Sequence, residues 1–335
     1  MTEIGILGAG SWGTALAVHL ARTGHPVRLW AREPEVVWQM RDHRENGVFL
    51  PGVALPPTVL PCGDYEQALA GISLVVVAVP SHGVRGVLQG AAPAMRPDAV
   101  IVSATKGLEG GTLLRPSEVI AQEAGPSRPV VVLSGPSFAR EVANELPTAV
   151  CAASADHGAA TLVQAEFRGR FFRLYTTPDV VGVEIGAALK NVIAIAAGVV
   201  DGLGLGHNAM AALITRGLTE ISRLASALGA RRETLAGLTG LGDLVLTCTG
   251  GLSRNRQVGI ELGRGRTLDD ILGSMKMVAE GVQTTAAALA LGARVGIELP
   301  IAAQMAEVLS GRKSPRAAAE DLMLRPQKGE PEGRW

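Results

Sequence analysis

The chain has 335 residues and carries 31 basic and 31 acidic side chains, so its formal net charge is zero. The length is typical of about two domains, and the balanced charge and scarce aromatics argue against nucleic acid or an anionic membrane surface as partners. Three widely spaced cysteines without a CxxC pair argue against a disulfide framework or a structural metal site, and favour a reducing, cytoplasmic compartment.

Neither a targeting segment nor a membrane span is expected. The first predicted strand begins at residue 3, which leaves no room for a signal peptide. The longest apolar stretch carries Lys190 and Asn191 in its middle, and no run of 18 uninterrupted apolar residues occurs. A lysine in such a position argues against a segment that crosses the bilayer.

The chain begins with a strand–turn–helix unit of the kind that binds dinucleotides. Residues 3–7 predict a strand, residues 8–13 read GAGSWG, and the residues that follow predict a helix. In such a turn Gly8 permits the tight bend, Gly10 lets a pyrophosphate approach the backbone, and Gly13 lets the helix pack close to the strand. The free N–H groups at the helix start favour a bound phosphate. The unit therefore predicts binding of NAD or NADP.

The end of the second predicted strand, residues 26–30, bears on the choice of cofactor. An NAD-selective site usually has an acidic residue here for the ribose 2′-hydroxyl. This strand instead runs into Arg32, which suits a 2′-phosphate, so NADP is expected to be accepted and NADP preference is one open interpretation. In the other interpretation Arg32 is a surface residue and Glu33 serves as the ribose acid.

The remaining strands are predicted at residues 74–79, 100–103, 130–133, 148–152 and 171–175. The first three are buried apolar runs that end in polar loops, and ligands of parallel sheets bind outside the carboxyl ends of strands. One of these loops carries Lys106 beside Gly107. The chain has 26 arginines but only five lysines, so a lysine at this position favours a ligand over a surface role.

From residues 177–178 onward, helical periodicity replaces the strand pattern. We predict the domain boundary there, with a Rossmann-type dinucleotide-binding domain at residues 1–178 and an all-α domain at residues 179–335. The first helix contains EIGAALKNVIAIAAGVVD at residues 184–201, with Pro178 near its start. Further helices are predicted near residues 207–228, 267–274, 280–292 and 300–309.

Lys190 and Asn191 interrupt the sixteen otherwise apolar or glycine residues between Glu184 and Asp201. A buried ammonium is costly without partners, and its pKa is easily lowered. In a chain that otherwise uses arginine, this lysine is interpreted as a point charge that can release a proton. The alternative is a half-exposed lysine that extends from an amphipathic helix.

Residues 238–259 read LTGLGDLVLTCTGGLSRNRQVG and contain two candidate site groups. Asp243 lies in a glycine-rich turn, where it either caps a helix or pairs with Lys190 and keeps that ammonium charged and oriented. Ser253 begins a Ser-Arg-Asn-Arg segment that either opens a solvated, capped helix or presents guanidinium, amide and backbone N–H groups to a phosphate.

Taken together, these motifs resemble the soluble, bacterial type of NAD(P)-dependent sn-glycerol-3-phosphate dehydrogenases. The motifs are GAGSWGTALA at 8–17, VVVAVPSH at 75–82, ATKGLE at 104–109, SGPSFAREV at 134–142, ALKNVIAIAAG at 188–198, GLGDLVLTC at 240–248, SRNRQVG at 253–259 and VAEGVQT at 278–284. The resemblance spans nearly the whole chain. It implies a Rossmann-type domain joined to a 6-phosphogluconate-dehydrogenase-like helical domain, and a homodimer that binds no nucleic acid.

The resemblance implies reduction of dihydroxyacetone phosphate, a phosphorylated triose, to sn-glycerol 3-phosphate, which feeds glycerophospholipid synthesis. It places the catalytic lysine at Lys190. Substrate contacts fall on Lys106, Gly135, Ser137, Lys190, Asn191, Asp243, Thr247, Ser253, Arg254 and Asn255. Cofactor contacts fall on Ser11, Trp12, Arg32, Lys106, Ala139, Arg254, Val278 and Glu280, beside the turn glycines. Relatives carry another aromatic in place of Trp12, and some carry histidine in place of Arg32.

In the implied mechanism, Lys190 donates a proton or a strong hydrogen bond to the developing alkoxide, and Asp243 holds the ammonium in place. The sequence leaves open which of these Lys190 does. Two alternative functions need fewer of these groups. A β-hydroxyacid or 6-phosphogluconate-type dehydrogenase would not need the Ser253–Asn255 phosphate segment or the Asp243 turn. A non-catalytic nucleotide sensor would not need Lys106, Lys190 and Asp243.

Overall fold

The computed structural model describes residues 2–275, 279–327 and 329. The strands are β1 (Ile4–Leu7), β2 (Val27–Trp30), β3 (Val59–Cys62), β4 (Leu74–Val77), β5 (Val100–Ser103), β6 (Val130–Ser134), β7 (Thr148–Ala153) and β8 (Phe172–Thr177). They form one sheet in the order β3-β2-β1-β4-β5-β6-β7-β8. Strands β1 to β6 are parallel, β7 is antiparallel to β6, and β8 is parallel to β7.

The parallel strands are apolar because both faces of the sheet are covered. In β4, Leu74 and Val76 belong to one core and Val75 and Val77 to the other, as the two-residue period of a strand requires. The helices associated with this sheet are α1 (Ser11–Arg22), α2 (Pro34–Asp42), α3 (Tyr65–Leu69), α4 (Val84–Ala91), α5 (Pro116–Ala124), α6 (Ala139–Ala143) and α7 (His157–Phe167).

After β8 the described chain is helical. The helices are α8 (Val180–Gly202), α9 (Gly206–Ala227), α10 (Arg232–Ala236), α11 (Asp243–Thr249), α12 (Arg254–Gly263), α13 (Leu268–Ser274), α14 (Glu280–Arg294), α15 (Pro300–Leu309) and α16 (Pro315–Met323). A π-helical turn, Leu238–Gly242, precedes α11. The apolar side chains of α8 form the centre of a third core.

Helix α8 has the length and mean hydropathy of a membrane span, but 89% of its most apolar window is buried inside the protein. Neighbouring elements therefore cover α8, as expected for the central helix of a protein core. Its crossing with α12 is close, because a Cβ on Gly259 would lie 1.9 Å from the carbonyl oxygen of Ile195. Likewise, a Cβ on Gly198 would lie 2.0 Å from the carbonyl oxygen of Arg256. The two glycines fix α12 directly against α8.

The predicted fold class is confirmed: a Rossmann-type parallel sheet is followed by a helical portion. The seven predicted strands are present, while β3 was not predicted. Pro178 lies near the start of α8, as predicted, and directly before the N-cap Asp179, which accepts a hydrogen bond from the Gly182 N–H at 2.9 Å. The division into two domains at residue 178 stays a prediction.

Candidate active site

The turn between β1 and α1 has the shape that a pyrophosphate needs. Gly8 has φ +112°, and a Cβ on Gly13 would lie 1.9 Å from the Gly8 carbonyl oxygen, so neither position tolerates a side chain. At Gly10 a Cβ would meet no atom within 4 Å, which means that this glycine faces open space. Within the described residues no side chain caps α1 at Gly10, and the positive end of a helix favours a bound anion. These residues fit a dinucleotide.

The other predicted cofactor contacts of the sheet portion surround this turn or the strand beside it. Ser11 donates to the Phe49 carbonyl oxygen at 2.6 Å, and Trp12 and Ala139 pack against the same core. Arg32 follows β2 with its side chain 80% exposed and pairs with Glu33 at 2.7 Å. The two groups that sequence analysis proposed for the adenosine ribose are thus bonded to each other.

Lys190 lies in the third turn of α8, and its side chain is buried. The ammonium donates to Asp243 Oδ1 at 2.5 Å and to Thr247 Oγ1 at 2.8 Å. Thr247 in turn donates to the Asp243 carbonyl oxygen at 2.6 Å. Asp243 is the first residue of α11, and it pairs with lysine instead of capping the helix. The predicted Lys190–Asp243 pair is present.

Lys106 completes this cluster from the sheet side. It lies in the loop after β5 and donates to Asp243 Oδ2 at 2.8 Å and to the Gly135 carbonyl oxygen at 3.2 Å. Asp243 therefore bridges two ammonium groups, one from each portion of the chain. The Gly135 carbonyl oxygen also accepts from Ser137 Oγ at 2.9 Å. Gly135 has φ +142°, and a Cβ there would meet Val150 Cα at 2.9 Å.

The electrostatics of the cluster favour proton transfer near neutral pH. Burial lowers the pKa of Lys190 to about 8; Asp243 opposes this shift and Lys106 reinforces it. Burial disfavours the ionised form of Asp243, but the two ammonium groups outweigh it and lower the pKa of this carboxyl. The arrangement thus keeps an anion between two cations, one of which can release a proton at ordinary pH.

The turn that carries Asp243 depends on a glycine. A Cβ on Gly240 would lie 1.9 Å from the Leu235 carbonyl oxygen, so the π-helical turn can close only without a side chain there. A Cβ on Gly186 of α8 would also lie 2.9 Å from the Thr239 carbonyl oxygen. This turn therefore packs directly on α8, one helical turn before Lys190.

The proposed phosphate segment opens α12. Ser253 is the buried N-cap of this helix and accepts from the Arg256 N–H at 3.2 Å. Arg254 is the first helical residue and is exposed. Asn255 is buried, and its Oδ1 accepts from the Gly281 N–H at 2.9 Å. Among the described residues its amide nitrogen has no acceptor and remains as a donor. The helix start that both interpretations of this segment require is present, with Ser253 as its cap.

Glu280 brings α14 to the loops that follow β4 and β5. A Cβ on Gly107 would meet Ser81 Oγ at 2.6 Å and Glu280 Oε2 at 3.0 Å. Burial raises the pKa of Glu280 to about 7, although Arg254 and the Ser81 N–H act in the opposite direction. Within the described residues its Oε2 is buried without a hydrogen-bond partner, which fits an acceptor reserved for a bound group. Val278 lies outside the described residues.

The structure brings several predicted substrate groups together around Asp243, while Arg32 lies apart from them, exposed and paired with Glu33. Asn191 follows Lys190 in α8 and is buried, and a Cβ on Gly281 would meet its carbonyl oxygen at 2.6 Å. Sequence reasoning missed the bond between Lys106 and Asp243, which joins residues 137 positions apart. The scarcity of lysine in the chain was the one sequence feature that could have indicated this bond.

The comparisons with known proteins agree with this geometry. The chain matches the family described as NAD-dependent glycerol-3-phosphate dehydrogenase, its N-terminus over residues 3–160 and its C-terminus over residues 179–320. It is 54% identical over 330 residues to the glycerol-3-phosphate dehydrogenase [NAD(P)+] of Citrifermentans bemidjiense, covering 98% of each chain. The relative of the same name from Geobacter sulfurreducens is 54% identical over 335 residues, covering 99% of each chain.

The solved glycerol-3-phosphate dehydrogenase of Coxiella burnetii superimposes with a TM-score of 0.93 at 42% identity, covering 97% of this chain and 99% of that one. D-mandelate dehydrogenase, at 13% identity and a TM-score of 0.60, shares the fold alone. The match over both portions of the chain, with the relatives covered almost completely, decides the assignment. The chain belongs to the NAD-dependent glycerol-3-phosphate dehydrogenase family.

Proposed function

We propose that this protein catalyses the reversible reduction of dihydroxyacetone phosphate to sn-glycerol 3-phosphate with NADH or NADPH. The observation that carries the proposal is the buried Lys190–Asp243–Lys106 cluster beside a glycine turn that fits a pyrophosphate. The names of relatives that match over 98% of the chain support the substrate pair.

Lys190 is the proposed proton donor. In the reduction direction a proton must reach the former carbonyl oxygen, and two of the hydrogen bonds of the ammonium are already directed at Asp243 and Thr247. An ammonium has three N–H donors, so a donor remains for the substrate oxygen. Asp243 holds the ammonium in the cluster and stabilises its charged form before transfer. Lys106 and Asn191 are proposed to bind the substrate beside it.

The phosphate of the substrate is proposed to bind at the start of α12. Arg254 offers its guanidinium, whose pKa burial lowers and Glu280 raises. Asn255 offers the amide nitrogen that its bond to α14 leaves over, and Ser253 orders the helix start. The charge of Arg254 also acts on Glu280, whose pKa it lowers. Gly135, Ser137 and Thr247 are the remaining proposed substrate contacts.

The cofactor is proposed to bind at the glycine turn and the start of α1. Gly8, Gly10 and Gly13 with the uncapped start of α1 would hold the pyrophosphate, next to Ser11, Trp12 and Ala139. Arg32 would bind a 2′-phosphate once its ion pair with Glu33 is broken. Acceptance of NADP is therefore part of the proposal. The nicotinamide, when bound, supplies the hydride. Lys106, Arg254, Glu280 and Val278 are the other proposed contacts.

The product is the backbone unit of glycerophospholipids, and we propose that the enzyme supplies it for lipid synthesis in the cytoplasm. The proposal includes a homodimer and closure of the helical portion over the sheet, with the domain boundary near residue 178. Closure would exclude water from the Lys190 cluster and strengthen its electrostatic interactions.

The deciding experiment follows the absorbance of NADH and of NADPH after dihydroxyacetone phosphate is added to the purified chain. We expect oxidation of the reduced cofactor with the phosphorylated ketone and much slower oxidation with unphosphorylated dihydroxyacetone. Equal use of the two ketones would contradict the phosphate site. A screen of β-hydroxyacids and 6-phosphogluconate separates the alternative dehydrogenase, and a sensor would oxidise no cofactor with any of them.

A further inference from the structure

Glu184 lies in α8, six residues before Lys190, and its carboxylate is only 1% exposed. Within the described residues its three hydrogen-bond donors all belong to the start of α5, in the sheet portion of the chain. Arg115 Nη1 donates at 2.8 Å, the Ser117 N–H at 2.8 Å and Ser117 Oγ at 2.6 Å. A single buried carboxylate thus binds α8 to the first turn of α5.

The segment that Glu184 binds is continuous with the loop that carries Lys106. Only eight residues separate Lys106 from Arg115. Midway along this loop, Glu109 accepts two hydrogen bonds from Arg85 of α4, at 2.8 and 2.7 Å. Arg115 itself pairs with Glu118 at 2.9 Å. The loop is therefore anchored at both its centre and its end.

These contacts form a closed chain, here called the circuit, that passes through the proposed active site. From Lys190 the circuit follows α8 back to Glu184, crosses to the start of α5, and returns along the loop to Lys106. Asp243 closes it by binding both lysines. Six residues of α-helix correspond to about 9 Å along the axis and about 240° around it. Glu184 and Lys190 therefore hold α8 on different sides, which fixes both its translation and its rotation.

We infer that Glu184 is a positioning residue for proton transfer: it sets the placement of α8, and so of Lys190, relative to the cofactor-binding sheet. The inference rests on the proposed function. Stability alone gives little reason for such a residue, because replacing a buried ion pair by apolar side chains of similar volume is often neutral or stabilising. Three directional bonds instead specify one geometry, which a catalytic proton donor needs.

The position of the phosphate site makes the inference testable. Arg254 and Asn255 lie on α12, which the Gly198–Gly259 contact fixes against α8. When α8 shifts relative to the sheet, the phosphate site moves together with Lys190, while the glycine turn of the cofactor site stays behind. Loss of Glu184 is therefore expected to lower kcat far more than it raises KM for dihydroxyacetone phosphate.

The test uses Glu184→Gln in the full chain, with Glu220→Gln as the matched control. Glu220 is also a buried glutamate of the helical portion, but its carboxylate accepts from the Ile301 and Ala302 N–H groups, both within that portion. Because misplacement by about 1 Å can cost about 100-fold in rate, we expect kcat to fall by roughly 10- to 100-fold in Glu184→Gln. The control should retain the wild-type kcat.

A second readout separates positioning from a general loss of structure. With reduced cofactor deuterated at the transferred position, the primary isotope effect on kcat should rise in Glu184→Gln, since misplacement slows the chemical step itself. Ser117→Ala, which removes one donor at the surface of the sheet portion, should shift kcat and the isotope effect in the same direction but less. This variant decides the question if Glu184→Gln does not fold.

Wild-type kcat and isotope effect in Glu184→Gln, or in Ser117→Ala when only that variant folds, would overturn the inference. Equal losses in Glu184→Gln and Glu220→Gln would overturn it as well, because they would indicate a structural role. Failure of the proposed function is a distinct result, since the wild-type chain itself would then not oxidise NADH or NADPH with dihydroxyacetone phosphate.

Discussion

At the scale of single residues, the ammonium of Lys190 is the group on which the proposed reaction depends. Lys190→Ala removes it and leaves Asp243 paired with Lys106. We expect kcat for the reduction to fall by about two to four orders of magnitude, the range for loss of a general acid, while reduced cofactor still binds in a fluorescence titration. Lys313→Ala, which removes a lysine paired with Asp321, is the control. Near-normal turnover of Lys190→Ala would exclude this lysine as the donor.

The same ammonium predicts how the reaction responds to pH. A general acid acts in its protonated form, and the pKa of Lys190 is lowered to about 8. The kcat for reduction should therefore hold below this pH and fall as the pH rises through about 8. Lys106 contributes to the lowered pKa of Lys190. In Lys106→Met the alkaline limb of the profile, where kcat falls, should therefore move to higher pH. An unmoved limb, in profiles of kcat at saturating cofactor, would mean that another group titrates.

Arg254 predicts a different kinetic signature. If its guanidinium binds the substrate phosphate, Arg254→Ala should raise KM for dihydroxyacetone phosphate by about 10- to 100-fold, since a hydrogen bond to a charged group contributes about 1.5–3 kcal/mol. Arg256→Ala is a close control, because Arg256 pairs with Asp201 at 2.8 Å. Steady-state kinetics with both variants test the assignment. A similar KM in the two variants would contradict it.

At the scale of elements, the contact between α8 and α12 connects packing to function. Gly259→Ala would place a methyl group 1.9 Å from the Ile195 carbonyl oxygen, so the helices must separate. We expect a loss of about 1–3 kcal/mol in the free energy of unfolding, the usual range for overpacking, and a higher KM for the phosphorylated ketone. Gly273→Ala, on α13, meets no atom within 4 Å and should do neither. Urea unfolding and steady-state kinetics measure the two effects.

The elements that sequence reasoning predicted are those with long, simple patterns. Buried parallel strands such as β4 are uninterrupted apolar runs, and α8 is a long apolar helix. Strand β3 was missed because it is short, contains Pro61 and lies at the edge of the sheet, where β2 is its one neighbour among the described strands. The pairing of Lys190 with Asp243 was predictable. The length of that bond, and the second bond of Asp243 to Lys106, were not.

At the scale of the whole molecule, contacts distant in sequence decide what local patterns leave open. The bonds of Glu184 to Arg115 and Ser117 join residues 67 to 69 positions apart, and no local motif indicates them. The pairing of Lys106 with Asp243 spans 137 positions. A sequence pattern can report that a group is unusual, as it did for Lys190. Only the packing of the two portions determines which groups meet.

Glu220 shows how such packing determines stability. Its carboxylate accepts from the Ile301 N–H at 2.6 Å, at the start of α15. Burial raises the pKa of this carboxyl from its ordinary value of 4.5 to about 7, although the N–H groups of Ile301 and Ala302 oppose the shift. The folded chain therefore binds this proton more tightly than the unfolded chain does. By linkage, the contribution of Glu220 to the free energy of unfolding decreases as the pH rises from about 4.5 to about 7.

Glu220→Gln has no proton to release and should remove this pH dependence. Relative to the wild type, its free energy of unfolding should improve by roughly 3 kcal/mol between pH 4.5 and pH 7, at about 1.4 kcal/mol per pKa unit. The difference isolates Glu220, because other shifted groups such as His19, whose pKa burial lowers, are present in both chains. Urea unfolding across this range measures it. A difference that stays constant with pH would mean that Glu220 keeps its ordinary pKa in the folded chain.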